Sequence, residues 1–184
     1  MAAGAGNILF NNTVNGAATG TKNLSLTAGT GNITFNGAVG AGSAIGNLTA
    51  NSTGITAFNQ TVKAASLTTD AGGTTQIKGN VTTTSTQTYG DAVTITNNPI
   101  LAGSDVSFNK TVDLAGNLGI VGDNVNLKGT VTTTNKGTLT IIAVDLGQWT
   151  VDSCITGIKP LIPYGYRLYS FRLFMSSPMW RLLY

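Results

Sequence analysis

The sequence predicts an all-β fold, a parallel β-solenoid of about six turns followed by a non-repeat tail. The first observation behind this is a recurring phrase: an apolar residue, a polar turn, then valine. It reads Phe10-Asn-Asn-Thr-Val14, Phe35-Asn-Gly-Ala-Val39, Phe58-Asn-Gln-Thr-Val62, Ile77-Lys-Gly-Asn-Val81, Phe108-Asn-Lys-Thr-Val112 and Leu127-Lys-Gly-Thr-Val131. The steps between anchors are 25, 23, 19, 31 and 19 residues. Periods of this size belong to stacked units, each of which buries its apolar face only against its neighbours. The second observation is composition. Only 9% of the 184 residues are charged, Glu and His are absent, and 30 are Thr. Thr, Val and Ile suit a pleated, half-buried surface, and Gly and Asn suit tight turns.

Each turn is expected to carry two strand pieces. The first holds the phrase. In Asn32-Ile-Thr-Phe35, Ile33 and Phe35 share one face and Thr34 takes the other, by the two-residue period of a strand. Asn7–Phe10, Asp105–Phe108 and Asn124–Leu127 repeat that spacing, while Gly54–Phe58 has one residue more and predicts a bulge. The second pieces are Asn23–Leu26, Asn47–Thr49, Ser66–Thr68, Val93–Ile95, Asn117–Ile120 and Thr138–Ile141. The inward set is Ile8, Phe10, Ile33, Phe35, Phe58, Ile77, Val106, Phe108, Val125 and Leu127. A sandwich also accommodates short strands at this spacing, but its successive strands need not resemble one another. In a solenoid like stacks on like at ~4.8 Å. That predicts an inner column Phe10/Phe35/Phe58/Phe108 and a corner column Asn11/Asn36/Asn59/Asn109. A longer period is also visible: Ile77–Thr84 returns almost unchanged as Leu127–Thr134, 50 residues on. It is read as two turns, with the 31-residue step holding an insertion around Tyr89–Pro99 or an extra partial turn.

Several stretches, 31–39 (Gly-Asn-Ile-Thr-Phe-Asn-Gly-Ala-Val), 64–75 and 87–93, resemble the β-strand repeats of filamentous-haemagglutinin-like bacterial exoproteins. These are two-partner-secretion or autotransporter passenger adhesins, and the resemblance spans roughly residues 4–143. It implies a right-handed parallel β-helix, and a structural or adhesive piece of a large exported protein. It also implies an extracellular or bacterial cell-surface location, and partners among host or neighbouring-cell glycans and proteins. An outer-membrane transporter would serve the parent protein. Neither the family's secretion domain nor a translocator is recognisable here.

The repeat region is placed at 1–143 and the tail at 144–184. The tail holds all three Arg, both Trp, three of the four Pro and eight of the thirteen aromatic residues, with two Thr. Three readings stay open: a cap on the last turn, a segment that docks on a partner, or non-native sequence from a shifted reading frame. The abrupt change of composition favours the last. Ala2–Gly6 is too small to cover the first turn. Open ends at both sides therefore predict self-association, aggravated by Trp149, Tyr164, Tyr166, Phe171, Phe174 and Trp180.

Before residue 144 six Lys face five Asp with no Arg, so the basic stripe that drives nucleic-acid binding is missing. Cys154 is the only cysteine, which excludes an intrachain disulfide. No signal peptide is recognisable at the N-terminus. The rival function is a carbohydrate-active β-helix enzyme, a lyase or hydrolase, which needs clustered carboxylates. The candidates are Asp70, Asp91, Asp105, Asp113 and Asp123, of which two among the last three could stack on adjacent turns. Asp also ends strands and makes local turns, and with no Glu, His or Arg beside it that reading is preferred. No catalytic, cofactor or metal residue is assigned, and calcium-binding Gly/Asp repeats are absent. Eight Asn-x-Ser/Thr sequons start at Asn11, Asn23, Asn32, Asn47, Asn51, Asn59, Asn80 and Asn109, most of them a product of composition. The runs Thr82–Thr84 and Thr132–Thr134 are read as surface β-formers and not as an ice-binding rank, since they recur only every 50 residues.

Overall fold

The computed structural model describes residues 1–135, 137–143 and 150–151. Among them there is no helix, and 18 short strands coil into a parallel β-solenoid of about six turns. Numbered in chain order, the strands fall on three faces. Face one stacks β1 (Ile8–Phe10), β3 (Ile33–Phe35), β5 (Ile55–Phe58), β7 (Thr74–Ile77), β10 (Ala92–Ile95), β13 (Val112–Leu114) and β16 (Val131–Thr132). Faces two and three share the long strands β4 (Ile45–Ser52) and β6 (Val62–Thr69), which run around one corner. The first half of β6 then pairs with β8 (Val81–Thr83) and the second half with β9 (Thr86–Tyr89). From there face two continues through β11 (Ile100–Ala102), β14 (Leu118–Gly122) and β17 (Leu139–Ala143). Face three starts at β2 (Leu24–Gly29) below β4 and continues from β9 through β12 (Asp105–Phe108), β15 (Asn124–Leu127) and β18 (Thr150–Val151).

Three strands per turn, not two, is the first correction. Val93–Ile95, expected among the second pieces, belongs with the phrase strands on face one. The strands not expected include β8, β11 and β13 as well as the polar text Thr86-Gln-Thr-Tyr89, whose only strong strand signals are alternation and Tyr89. The bulge expected at Gly54–Phe58 is also absent. Thr56 lies over Ile33 and Phe58 over Phe35 without a register shift, so the extra residue simply leaves Ile55 outside. A shift occurs instead between Thr27 and Gly29.

Nine of the ten inward residues are buried, and Phe10, on the first rung, is partly buried against the same core. Their order in the stack differs from expectation. The face-one column runs Phe10, Phe35, Phe58, Ile77, Ile95 and Leu114. Its rings lie nearly parallel, with centroids 4.9 Å apart for Phe10–Phe35 and 5.3 Å for Phe35–Phe58. Phe108 is not in it. It stacks on Tyr89 at 5.0 Å on face three, beneath Leu127. The 31-residue step from Ile77 to Phe108 is therefore an extra partial turn: β8, β9, β10 and β11 lie between, and the phrase reappears on another face. The 50-residue period likewise spans two turns and two further faces, so Ile77 and Leu127 never stack. The runs at Thr82 and Thr132 accordingly sit on faces two and one.

The corners explain the Gly and Asn content. Adjacent rungs approach so closely at some corners that a Cβ on Gly116 would lie 1.7 Å from the Asn97 carbonyl oxygen. Asn97 itself has φ 62°, the left-handed conformation that Asn tolerates better than most residues. At the first residues, Met1–Ala3 does cover an edge, contrary to expectation. The Met1 ammonium donates to the Ser25 carbonyl (2.8 Å), Thr27 N–H to the Met1 carbonyl (2.9 Å) and Ala3 N–H to the Thr27 carbonyl (2.8 Å). Strand β18 lies within the segment 144–184 and pairs in parallel with β15, Leu127 opposite Val151. The expectations for Cys154, Trp149 and the tail aromatics fall outside the described residues.

Candidate interaction faces

Face three presents the most regular outer surface. Strand alternation sends Leu48, Leu67, Val106 and Val125 inward, so the residues between them point out. One outer column is Ser25, Thr49, Thr68, Thr88, Ser107 and Asn126. Beside it run Asn47, Ser66, Thr86, Asp105 and Asn124. Hydrogen bonds climb these columns: Ser66 Oγ donates to Asn47 Oδ1 (3.0 Å), Asn126 Nδ2 to Ser107 Oγ (3.3 Å) and Asn124 Nδ2 to Asp105 Oδ1 (2.5 Å). The result is a flat rank of small polar groups repeating every ~4.8 Å. Face two changes character along its length, from Lys63 and Thr82 to Ala102, Val121 and the exposed Ile142, with Ile100 47% exposed beside them.

The corner asparagines hold the coil. Asn36 Nδ2 donates to Asn11 Oδ1 (3.1 Å) and Asn59 Nδ2 to Asn36 Oδ1 (2.8 Å), the expected ladder. Asn109 is not its fourth member, because it follows Phe108 on the other corner, where its N–H donates to the Tyr89 carbonyl (2.9 Å). A second set was missed. Asn7, Asn23 and Asn32 each accept, through Oδ1, the backbone N–H one rung up, at 2.8 Å in every case. Asn80, Asn98 and Asn117 do the same at 2.9–3.0 Å. The signal was present, since most of these Asn stand immediately before a strand.

A polar knot lies in the interior around Gln87. Gln87 Nε2 donates to the Ala102 carbonyl (2.8 Å), and Tyr89 Oη donates to Gln87 Oε1 (2.9 Å). Burial drives the Tyr89 phenol far above its ordinary range, so it remains a neutral donor.

The five aspartates are dispersed. Asp105 stacks on Thr86 and Asn124, and Asp113 lies between Thr94 and Thr132, accepting from Thr132 and Thr134. Asp123 N–H donates to the Ser104 carbonyl. No two of these three stack on each other, contrary to the possibility raised by their spacing. Only Asp70 and Asp91 interact, at the corner between faces three and one, and Lys110 bears on the same place. Asp91 is buried. Its carboxylate accepts from Gly73 N–H (2.8 Å) and Thr75 Oγ (2.9 Å). Burial pushes its carboxyl up. The bonds from Gly73 and Thr75 pull it down, Asp70 raises it, and Lys110 lowers it. Among the described residues no three His, Cys, Asp or Glu side chains gather as a metal site would require, and no helix is long and apolar enough to cross a membrane.

The Asp91 arrangement makes a pH prediction. With its folded pKa raised above the ordinary carboxyl value, the contribution of Asp91 to stability is largest at low pH. It is lost as pH rises through the folded pKa. Asp91→Asn keeps an acceptor for Gly73 N–H, and the Thr75 hydroxyl can rotate to accept. The variant should match the parent below about pH 4 and become the more stable of the two as pH rises. Urea midpoints from pH 3 to 8 check this, and a difference independent of pH refutes it.

The class defined by this geometry is the three-sided parallel β-solenoid. No family model, curated protein or solved structure matches the chain.

Proposed function

We propose that the chain is a non-enzymatic structural and adhesive element of an exported bacterial surface protein, and that it binds through extended outer faces. The observation that supports this most is the pair of in-register polar columns on face three, Ser25 to Asn126 and Asn47 to Asn124. Weak contacts repeated at fixed spacing along a rigid rod add to useful avidity without a deep site. The carboxylates an enzyme would gather are instead spread over several rungs, and Asp91 is turned into the core.

The test is binding of the purified chain to immobilised glycans and extracellular-matrix proteins, compared with a Thr68→Lys/Thr88→Lys variant. These changes touch only the outer column. At least one surface should bind the parent and lose tenfold or more with the variant, at unchanged stability. Equal binding by both proteins sinks the assignment of face three. Release of reducing ends or unsaturated uronates from a polysaccharide panel sinks the non-enzymatic reading.

A further inference from the structure

Two places in the chain put glycine directly after asparagine, Asn15-Gly16 and Asn36-Gly37. In such a pair no side chain shields the following backbone nitrogen, so it can attack the side-chain amide. In both, a donor already polarises the side-chain carbonyl: Gly42 N–H to Asn15 Oδ1 (3.0 Å) and Asn59 Nδ2 to Asn36 Oδ1 (2.8 Å). What differs is the attacking nitrogen. Gly16 N–H is held by the Ser43 carbonyl (3.0 Å), whereas Gly37 N–H makes no hydrogen bond among the described residues. Asn36 is exposed, so water reaches it.

The corner itself requires glycine at 37. A Cβ there would lie 2.3 Å from the Asn12 carbonyl carbon and 2.5 Å from its oxygen. The packing that closes this corner therefore keeps the labile pair in place. The other two members of the ladder, Asn11 and Asn59, are followed by Asn12 and Gln60, whose side chains hinder the same attack.

We propose that Asn36 is a self-modifying site, deamidated through Gly37 in the folded rod. The Gly37 amide nitrogen bonds to Asn36 Cγ and gives up its proton. The Cγ–Nδ2 bond breaks, and ammonia leaves. Water then opens the cyclic imide to aspartate or isoaspartate at position 36, so the net change is water in and ammonia out, with no other reactant. Aspartate fits the ladder. Asn59 Nδ2 keeps its acceptor, and Asn11, whose Nδ2 makes no bond among the described residues, can turn its amide to donate. Isoaspartate does not fit. Its extra main-chain methylene falls between Asn36 N–H, bonded to the Phe10 carbonyl (2.9 Å), and Gly37, packed on Asn12. The reaction thus sets a negative charge at the corner between faces one and two, and displaces that corner in the molecules that take the isoaspartyl route.

The test is mass spectrometry of the tryptic fragments 1–22 and 23–63, which separate the two Asn-Gly pairs. The full chain is first held for several weeks at pH 8, folded or in urea. In the folded chain 23–63 should gain the amide-to-acid mass about tenfold faster than 1–22, the factor that one backbone hydrogen bond at Gly16 is worth. In urea the two fragments should react alike. Asn36→Gln keeps an amide but enlarges the ring to be closed, and should abolish the gain in 23–63. Should that variant lose its strand signal in circular dichroism, sequencing of the modified parent fragment locates the new acid directly. Equal rates in the folded chain overturn the inference, as does no gain in either fragment. So does a gain in 23–63 that lies elsewhere than at position 36, or a tenfold ratio that persists in urea, which would assign the difference to local sequence alone. None of these results bears on ligand binding by face three, so the two proposals fail separately.

Discussion

Phe58→Ala should lower stability by ~3–5 kcal/mol, the range for emptying a buried aromatic site. Phe58 is fully buried, stacked on Phe35 below with rings 11° from parallel, and covered by Ile77 above. A solenoid cannot collapse around the void, because its rung spacing is fixed by hydrogen bonds on three faces. The loss should therefore fall at the severe end of the range. Phe10→Ala should cost less, since Phe10 is only partly buried and stacks on one side. Denaturant midpoints at constant slope measure both. A cost below ~1 kcal/mol for Phe58→Ala would mean that the column is not a structural spine.

Gly116→Ala should cost ~3 kcal/mol, the upper part of the range for overpacking. The new methyl group would meet the Asn97 carbonyl oxygen at 1.7 Å, with the carbonyl carbon at 2.8 Å and the Asn97 nitrogen at 3.0 Å. All three are backbone atoms, so no side chain can swing aside, and the rungs must separate at that corner. Gly119→Ala is the control. The three nearest atoms to its methyl group would all belong to the Ile100 side chain, at 3.4 Å or more, and the change should stay within ~0.5 kcal/mol. Equal effects at the two sites would show that corner spacing is not what glycine protects.

The class of fold and the identity of the buried residues were legible in the sequence, because alternation within a strand depends only on neighbours a few residues away. Ile33, Phe35 and Val125 could be assigned inward without knowing what lay above them. The stacking order was not legible. Phe108 carries the same local text as Phe58, yet the two lie on different faces. Each corner asks for the same things, an apolar anchor, a compact polar turn and a β-branched residue, so sequence likeness cannot say which corner a phrase turns. Strand β9 was missed for a related reason: Gln87 fills an inward position usually given to an aliphatic residue, and only its bonds to Tyr89 and Ala102 make that tolerable. The Thr runs at 82 and 132 lie off the candidate surface, on faces two and one. The ordered rank on face three is instead built from Ser, Thr, Asn and Asp, residues that share size and polarity but not identity.

Interchangeable corners have a genealogical consequence. The text 77–84 and its near-copy 127–134 lie eight faces apart, a distance that is not a whole number of circuits. In a sandwich or a barrel a duplicated stretch of that length would arrive out of frame and break the core. Here it lands on another side and is accepted, because that side can read the same words. A gene for such a rod can lengthen by unequal exchange at any multiple of one side. Selection then needs to preserve only the spacing from corner to corner, and homologous rods can drift out of phase while keeping one shape.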